Sequence, residues 1–248
     1  MQIHPWVHLV GSDQFGLTAP NDSNIYLLDG GTALAIVDVG RLSSFDDMIA
    51  NVRASGYDPA RVSTIFLTHE HTGHSEGCAR FKDQFGAKLV AHRNSAPSLA
   101  TGANSDREFM RAYGAVPPGY EFPTVSPDVV IDDGWTTSIG RFRVRAVHVR
   151  GHTEDSVCYV VDSDDSRAIF TGDVVFFNGM VGLLNLPGCN LGHYRADIQK
   201  LGDLNVDQLF PGHGIFVLKG AQLHLDMAVQ QFRRPHLPES YYEGIKRL

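Results

Sequence analysis

The chain has 248 residues, with 21 Lys and Arg against 28 Asp and Glu, and a formal net charge of −7. That sign disfavours a polyphosphate backbone or an anionic membrane as the main partner, so neither nucleic acid nor a membrane is expected. With 43% hydrophobic and 20% charged residues, the composition excludes a disordered chain. No apolar run reaches the roughly 18 residues of a membrane span, and the opening MQIHPWVHLVG lacks a basic stretch followed by an apolar one. Three cysteines, Cys78, Cys158 and Cys189, form an odd, sparse set that argues against a disulfide framework and for a reducing, cytoplasmic compartment.

The predicted elements begin with strands over residues 6–10, 24–28 and 33–37, the last two joined by the turn Asp29-Gly30-Gly31. A helix over 44–54 places Phe45, Met48, Ile49 and Val52 on one face and stops before Gly56. Residues 62–67 read as a buried strand, 75–85 as a helix closed by Gly86, and 88–91 as another strand. Residues 93–127 carry five prolines around a short helical piece near 107–113, and read as a lid-like insertion in which Phe109, Met110 and Tyr113 form a packing face. Strands follow over 142–149, 157–161, 168–170 and 206–210. A helix covers 221–232, and 241–248 reads as a loosely tied tail. Strands precede helices in each half, which predicts one α/β domain over 1–248, a four-layer αββα sandwich of two packed mixed sheets with helices outside.

Twelve histidines stand out. Thr68-His69-Glu70-His71-Thr72-Gly73-His74 follows the apolar strand directly. Alternate residues at a strand end share a face, so His69 and His71 aim at one spot while His74 enters at the start of the next helix. Neutral imidazoles converging in this way form a ligand set for zinc, iron or copper. Three later segments repeat the placement at strand ends: Gly151-His152-Thr153, Thr171-Gly172-Asp173 and Gly212-His213-Gly214. Taken singly, His152, Asp173 and His213 also read as turn or cap residues; together, in one order, they read as ligands.

This five-part pattern resembles the metallo-β-lactamase fold hydrolases, a family that includes glyoxalase II, lactonases, thioesterases and the lactamases. The likeness runs from Asn24-Ile25-Tyr26 and Val37-Asp38-Val39-Gly40 to Pro211-Gly212-His213. It implies that His69, His71 and His152 bind a first metal, and that His74, His213 and Asp173 serve a second, with Asp173 bridging. Asp38 would orient ligand groups. Zinc is the implied metal, as one ion or two in a binuclear centre, with iron or manganese as alternatives.

One position departs from the family. Gly73 stands where HxHxDH has its Asp, giving a variant HxHxGH motif that lacks one negative ligand and one proton acceptor. Glu76 or Glu70 could replace that carboxylate in assisting a metal-bound water. The resemblance implies a metal-dependent hydrolase of a small ester, lactone, thioester or amide; the alternative is a metal-containing binding or effector protein whose hydrolysis is weak or lost because of Gly73. The apolar, glycine-rich loop after Asp173 suggests substrate contacts from Leu183 and Leu184, with His193 and Tyr194 reaching in from the following turn. Cys78 and Cys158 read as buried inert thiols, and the expected partner is a small molecule, with a homo-oligomer allowed.

Overall fold

The computed structural model describes residues 1–112, 114 and 116–245. The chain divides into two compact units, Met1–Ile131 and Asp132–Leu248.

Unit 1 is built on a seven-stranded mixed sheet whose strands lie in chain order: β1 (Gln2–His4), β2 (Val7–Gly11), β3 (Ile25–Asp29), β4 (Leu34–Val37), β5 (Val62–Phe66), β6 (Lys88–His92) and β7 (Val129–Ile131). The first four pair antiparallel, the tight turn after Asp29 being closed by its Oδ1, which accepts from Gly31 N–H at 2.8 Å. From β4 onward the pairing is parallel, because helices now make the return crossings. Helix α1 (Phe45–Ala54) buries the apolar stripe anticipated for it, Phe45, Met48, Ile49 and Val52, and leaves Asp46 and Asp47 exposed at its positive end. Each of those buried side chains is worth about 1.5–3 kcal/mol relative to exposure.

The helix expected over 75–85 forms as two pieces, α2 (Thr72–Ser75) and α3 (Cys78–Phe85). The break comes from a contact distant in sequence: Gly77 N–H donates at 2.9 Å to Gly40 O, in the turn after β4, instead of back along its own helix. Gly86 ends α3 in the left-handed conformation. The segment 93–127 contains more helix than its prolines suggested, α4 (Ala96–Thr101) and α5 (Ser105–Ala112). Pro97 sits in the first turn of α4, where the missing N–H costs nothing. Phe109 and Met110 are half-buried on α5; Tyr113 lies outside the described residues.

Unit 2 carries a five-stranded mixed sheet in the order β12-β11-β10-β9-β8, formed by β8 (Thr136–Ile139), β9 (Phe142–His148), β10 (Val157–Asp162), β11 (Arg167–Gly172) and β12 (Gln208–Pro211). Only β11 and β12 pair parallel. Helices α6 (Leu191–Asp197) and α7 (Gln222–Phe232) bury Tyr194, Leu225, Val229 and Phe232 in one cluster with Val147, Val160, Ile169 and Leu209 of the sheet. The C-terminal segment is not the loose tail its sequence suggested. Glu239 O accepts from Val181 N–H and Tyr241 N–H donates to Val181 O, both at 3.0 Å, before α8 (Tyr241–Ile245). Residues 246–248 of that segment lie outside the described residues. No helix among the described residues is long and apolar enough to cross a membrane.

Candidate metal centre

In unit 1 the site grows from the carboxyl ends of the parallel strands β4 and β5, where side chains leave the sheet beside helix starts. Asp38 follows β4 with φ of 60°, in the left-handed region that Asp tolerates better than most residues. Its fully buried carboxylate accepts three hydrogen bonds at 2.8 Å: Thr68 N–H on Oδ1, and Thr68 Oγ1–H and His74 Nδ1–H on Oδ2. Because the Thr68 hydroxyl donates to Asp38, its oxygen is the acceptor for His69 Nδ1–H at 3.0 Å. Both imidazoles thereby carry their proton on Nδ1, and the lone pair of each neutral ring falls on Nε2. His71 precedes α2 in extended backbone, and the three rings gather closely, with His69 centroids 4.7 Å from His71 and 4.1 Å from His74.

The residues between these histidines are held by the 93–127 segment. Glu70 accepts from Ser98 Oγ of α4. Thr72 donates both its N–H and its hydroxyl to Asp106 Oδ2 of α5 at 3.0 Å. Glu76 accepts from Tyr120 OH at 2.8 Å and from Leu42 N–H at 3.0 Å, one bond on each oxygen. Glu70 and Glu76, the two carboxylates considered as replacements for the missing Asp, are thus tied into this framework. Beside them Arg107 is 1% exposed, its guanidinium 5.2 Å above the Phe122 ring. Burial lowers the Arg107 pKa, against the pull of Glu70, Glu76 and Asp106; burial raises that of Glu70, against Ser98, Asn104 and Arg107. Burial and then the Glu76 carboxylate push the Tyr120 phenol up to about 12. Gly73 is not a steric necessity: a Cβ there would meet only Asn21 O, at an ordinary 3.6 Å.

In unit 2, Asp173 leaves β11, His213 leaves β12, and His152 lies four residues beyond β9. Asp173 Oδ2 stands 3.6 Å from Nε2 of both His152 and His213, so the structure brings these three expected ligands together. His152 Nδ1–H donates to Gly182 O at 2.7 Å, which again places the lone pair on Nε2. Gly182 cannot be replaced without movement, since a Cβ there would lie 2.0 Å from Asp173 O and 2.8 Å from His152 Nδ1.

Two residues that the sequence did not single out also belong here. Tyr242 OH donates to Asp173 Oδ2 and its ring stacks on His152, with centroids 6.3 Å apart and planes at 17°. Burial, then the Asp173 charge, raise the Tyr242 pKa well above the usual phenol value, which keeps the hydroxyl a donor. Tyr241 stacks on Phe176 at 4.2 Å and on His213 at 6.4 Å. Only the adjacent aromatic pair itself hinted at them, because the contact to Asp173 spans 69 residues of chain.

The substrate contacts suggested in this unit divide. Tyr194 is a core residue: fully buried, stacked on Phe232 at 5.0 Å, with its hydroxyl accepting from Gly182 N–H and donating to Val174 O. It sits inside because Gly151, lacking a Cβ, lets the ring lie against its backbone. His193 is half-exposed, its Nδ1 2.6 Å from Glu154 Oε1. Leu183 and Leu184 are half-buried on the loop after Asp173, where Cys189 Sγ accepts from Leu184 N–H. Cys78 and Cys158 are buried, and burial raises their thiol pKa values far out of the reactive range.

Two mixed sheets with helices, and histidines and a carboxylate clustered at strand ends, define an α/β protein carrying the donor types of a metal site. The sequence model of the metallo-beta-lactamase superfamily matches residues 18–213, and the chain belongs to that superfamily. It is 29% identical over 225 residues to the acyl-coenzyme A thioesterase MBLAC2 of Gallus gallus, covering 82% of this chain and 75% of that protein. It is 26% identical to an atrochrysone carboxyl ACP thioesterase of Aspergillus fumigatus, covering 86% of this chain and 56% of that one. Among solved structures, a B3 metallo-β-lactamase with an active-site glutamic acid superposes with a TM-score of 0.73 over 94% of this chain and 91% of its own, at 22% identity. BJP-1, a subclass B3 metallo-β-lactamase of Bradyrhizobium japonicum, gives 0.72 over 93% and 89%, at 21% identity. These structures establish the metallo-β-lactamase fold for the chain; the family and its thioesterase relatives establish a hydrolytic enzyme.

Proposed function

We propose that this enzyme is a metal-dependent thioesterase acting on small acyl thioesters. The observation that carries the reading is the donor set. In unit 1, Nδ1 protons anchored on Thr68 and Asp38 put the lone pairs of His69 and His74 on Nε2; in unit 2, the proton anchored on Gly182 O does the same for His152, beside the Asp173 carboxylate. Imidazoles joined by one carboxylate are the chemistry of a zinc site, with iron and manganese also served. His69, His71, His74, His152, Asp173 and His213 would hold one or two such cations. A divalent cation bound there would polarise an acyl carbonyl and acidify water toward neutrality.

The protein's own groups supply position and surroundings. Asp38 and the Gly182 carbonyl fix the tautomers and ring orientations that a ligand set requires. The 93–127 segment serves as a wall over the histidine loop, holding Glu70, Thr72 and Glu76 in place. Leu183 and Leu184 offer an apolar surface to the acyl group. The thioester assignment is supported by relatives named for two different thioester carriers, coenzyme A and an acyl carrier protein. Three free cysteines suit a reducing cytoplasm.

The test is a panel of short and medium acyl-CoA thioesters, aryl esters, lactones and a β-lactam, each with and without a strong chelator. Thioesters should show the highest kcat/KM, falling at least about 100-fold on chelation and recovering with zinc. Cleavage of lactones or amides with thioesters untouched would overturn the substrate class, and turnover indifferent to chelator would overturn the metal.

A further inference from the structure

The superfamily match ends at His213, yet the segment that touches every expected ligand of unit 2 lies beyond it. We propose that Tyr242 is a positioning residue of the metal centre, setting the orientation of the Asp173 carboxylate so that Oδ2 faces the incoming cation; this rests on the metal dependence argued above.

The segment is placed for that work by its backbone. Glu239 and Tyr241 pair with Val181, and Ser240 Oγ donates to Leu183 O at 2.7 Å, so the chain is clamped on both sides of Gly182. Gly182 is the residue whose carbonyl holds His152. The clamp therefore delivers Tyr242 to Asp173 and steadies the carbonyl behind His152 in one piece of structure. Next to it, Tyr241 lies on His213. Two consecutive tyrosines thus stack one on each histidine, and the second puts its hydroxyl on the carboxylate between them.

The torsion that turns a carboxylate about its Cβ–Cγ bond is broad, so a carboxylate oxygen is aimed by its hydrogen bonds more than by its rotamer. Tyr242 OH bonds Oδ2, the oxygen that stands 3.6 Å from both imidazole nitrogens. Without that bond Asp173 can swing its oxygens away from the shared point, and the cation loses its anionic ligand for part of the time.

The experiment compares wild type with Tyr242→Phe, which keeps the stacked ring and removes only the hydroxyl. Zinc affinity is measured by competition with a chromogenic chelator, the visible spectrum is recorded after loading with cobalt(II), and thermal unfolding of the metal-free proteins reports on folding. The expected result is zinc affinity lowered about 10–100-fold, the range for removing a group that orients a ligand, with an altered cobalt spectrum. A lower unfolding temperature with unchanged zinc affinity and cobalt spectrum would make Tyr242 a packing residue and overturn the proposal. Wild-type protein that takes up no zinc or cobalt would overturn this proposal together with the metal dependence beneath it.

Discussion

In unit 1 the imidazoles lean on side chains, the Asp38 carboxylate and the Thr68 hydroxyl; in unit 2 His152 leans on a main-chain carbonyl and a tyrosine ring. The difference decides how each side can fail. A buried carboxylate with three donors is an electrostatic device, and taking it away strands polar groups in a dry interior. A carbonyl at a glycine with no room for a methyl group is a steric device, and crowding displaces the ring it holds. The anchoring chain segments differ as well. The histidine loop of unit 1 is gripped by the segment between β6 and β7, whereas His152, Asp173 and His213 of unit 2 are gripped by Tyr241 and Tyr242.

The largest expected effect comes from removing the electrostatic device. Asp38→Ala leaves Thr68 N–H, Thr68 Oγ1–H and His74 Nδ1–H without their acceptor, and should cost about 3–5 kcal/mol in urea unfolding. A loss under about 1 kcal/mol would show that the carboxylate is dispensable and erase the contrast between the units. Next is the steric device. Gly182→Ala pushes the Asp173 main chain and the His152 ring away from residue 182 and should cost about 1–3 kcal/mol, with a drop in zinc affinity measured by chelator competition. Unchanged zinc affinity would break the link drawn between Gly182 and His152.

A smaller effect is expected from Arg150→Ala, two residues before His152. Burial by itself would raise the Asp197 pKa, but hydrogen bonds from Arg150, and then Lys200, hold it below the ordinary carboxylate value. A depressed folded-state pKa contributes stability above the unfolded value of about 4, and that contribution is lost as pH falls through the folded value. Arg150→Ala should therefore be less stable than wild type by about 0.5–1 kcal/mol at pH 7, and the gap should narrow toward pH 3, as read by unfolding at both. A gap that widens in acid would contradict the pairing. The smallest effect on stability belongs to Gly73→Asp. A Cβ there meets only Asn21 O, at an ordinary 3.6 Å, and an acidic side chain suits the first turn of α2, so unfolding should change by no more than about 0.5 kcal/mol. Metal content per chain, measured by elemental analysis, should stay level or rise; a fall would mean that unit 1 has no place for the carboxylate its family carries.

Much of this was legible before folding. The apolar face of α1, the strand-and-turn pattern around Asp29 and the order of histidines at strand ends are local signals, each carried by residues within one element and its neighbours. Where the reading went astray, distant contacts had outweighed local cues. The helix expected over 75–85 breaks because Gly77 bonds to Gly40, and Pro97 opens α4 instead of preventing it. Tyr194, suggested as a substrate contact, is drawn into the core against Gly151 and Phe232.

By itself the sequence determined which side chains carry metal-binding chemistry at strand ends, because residue type and strand-end spacing are written along the chain. Only the tertiary structure decided what holds them. Asp38 reaches Thr68 across 30 residues, Asp106 reaches Thr72 across 34, and Tyr242 reaches Asp173 across 69. Asp38 and Thr68 meet because parallel pairing sets the ends of β4 and β5 side by side, Asp106 and Tyr242 arrive on α5 and α8, and no periodicity in the chain records which partners will meet.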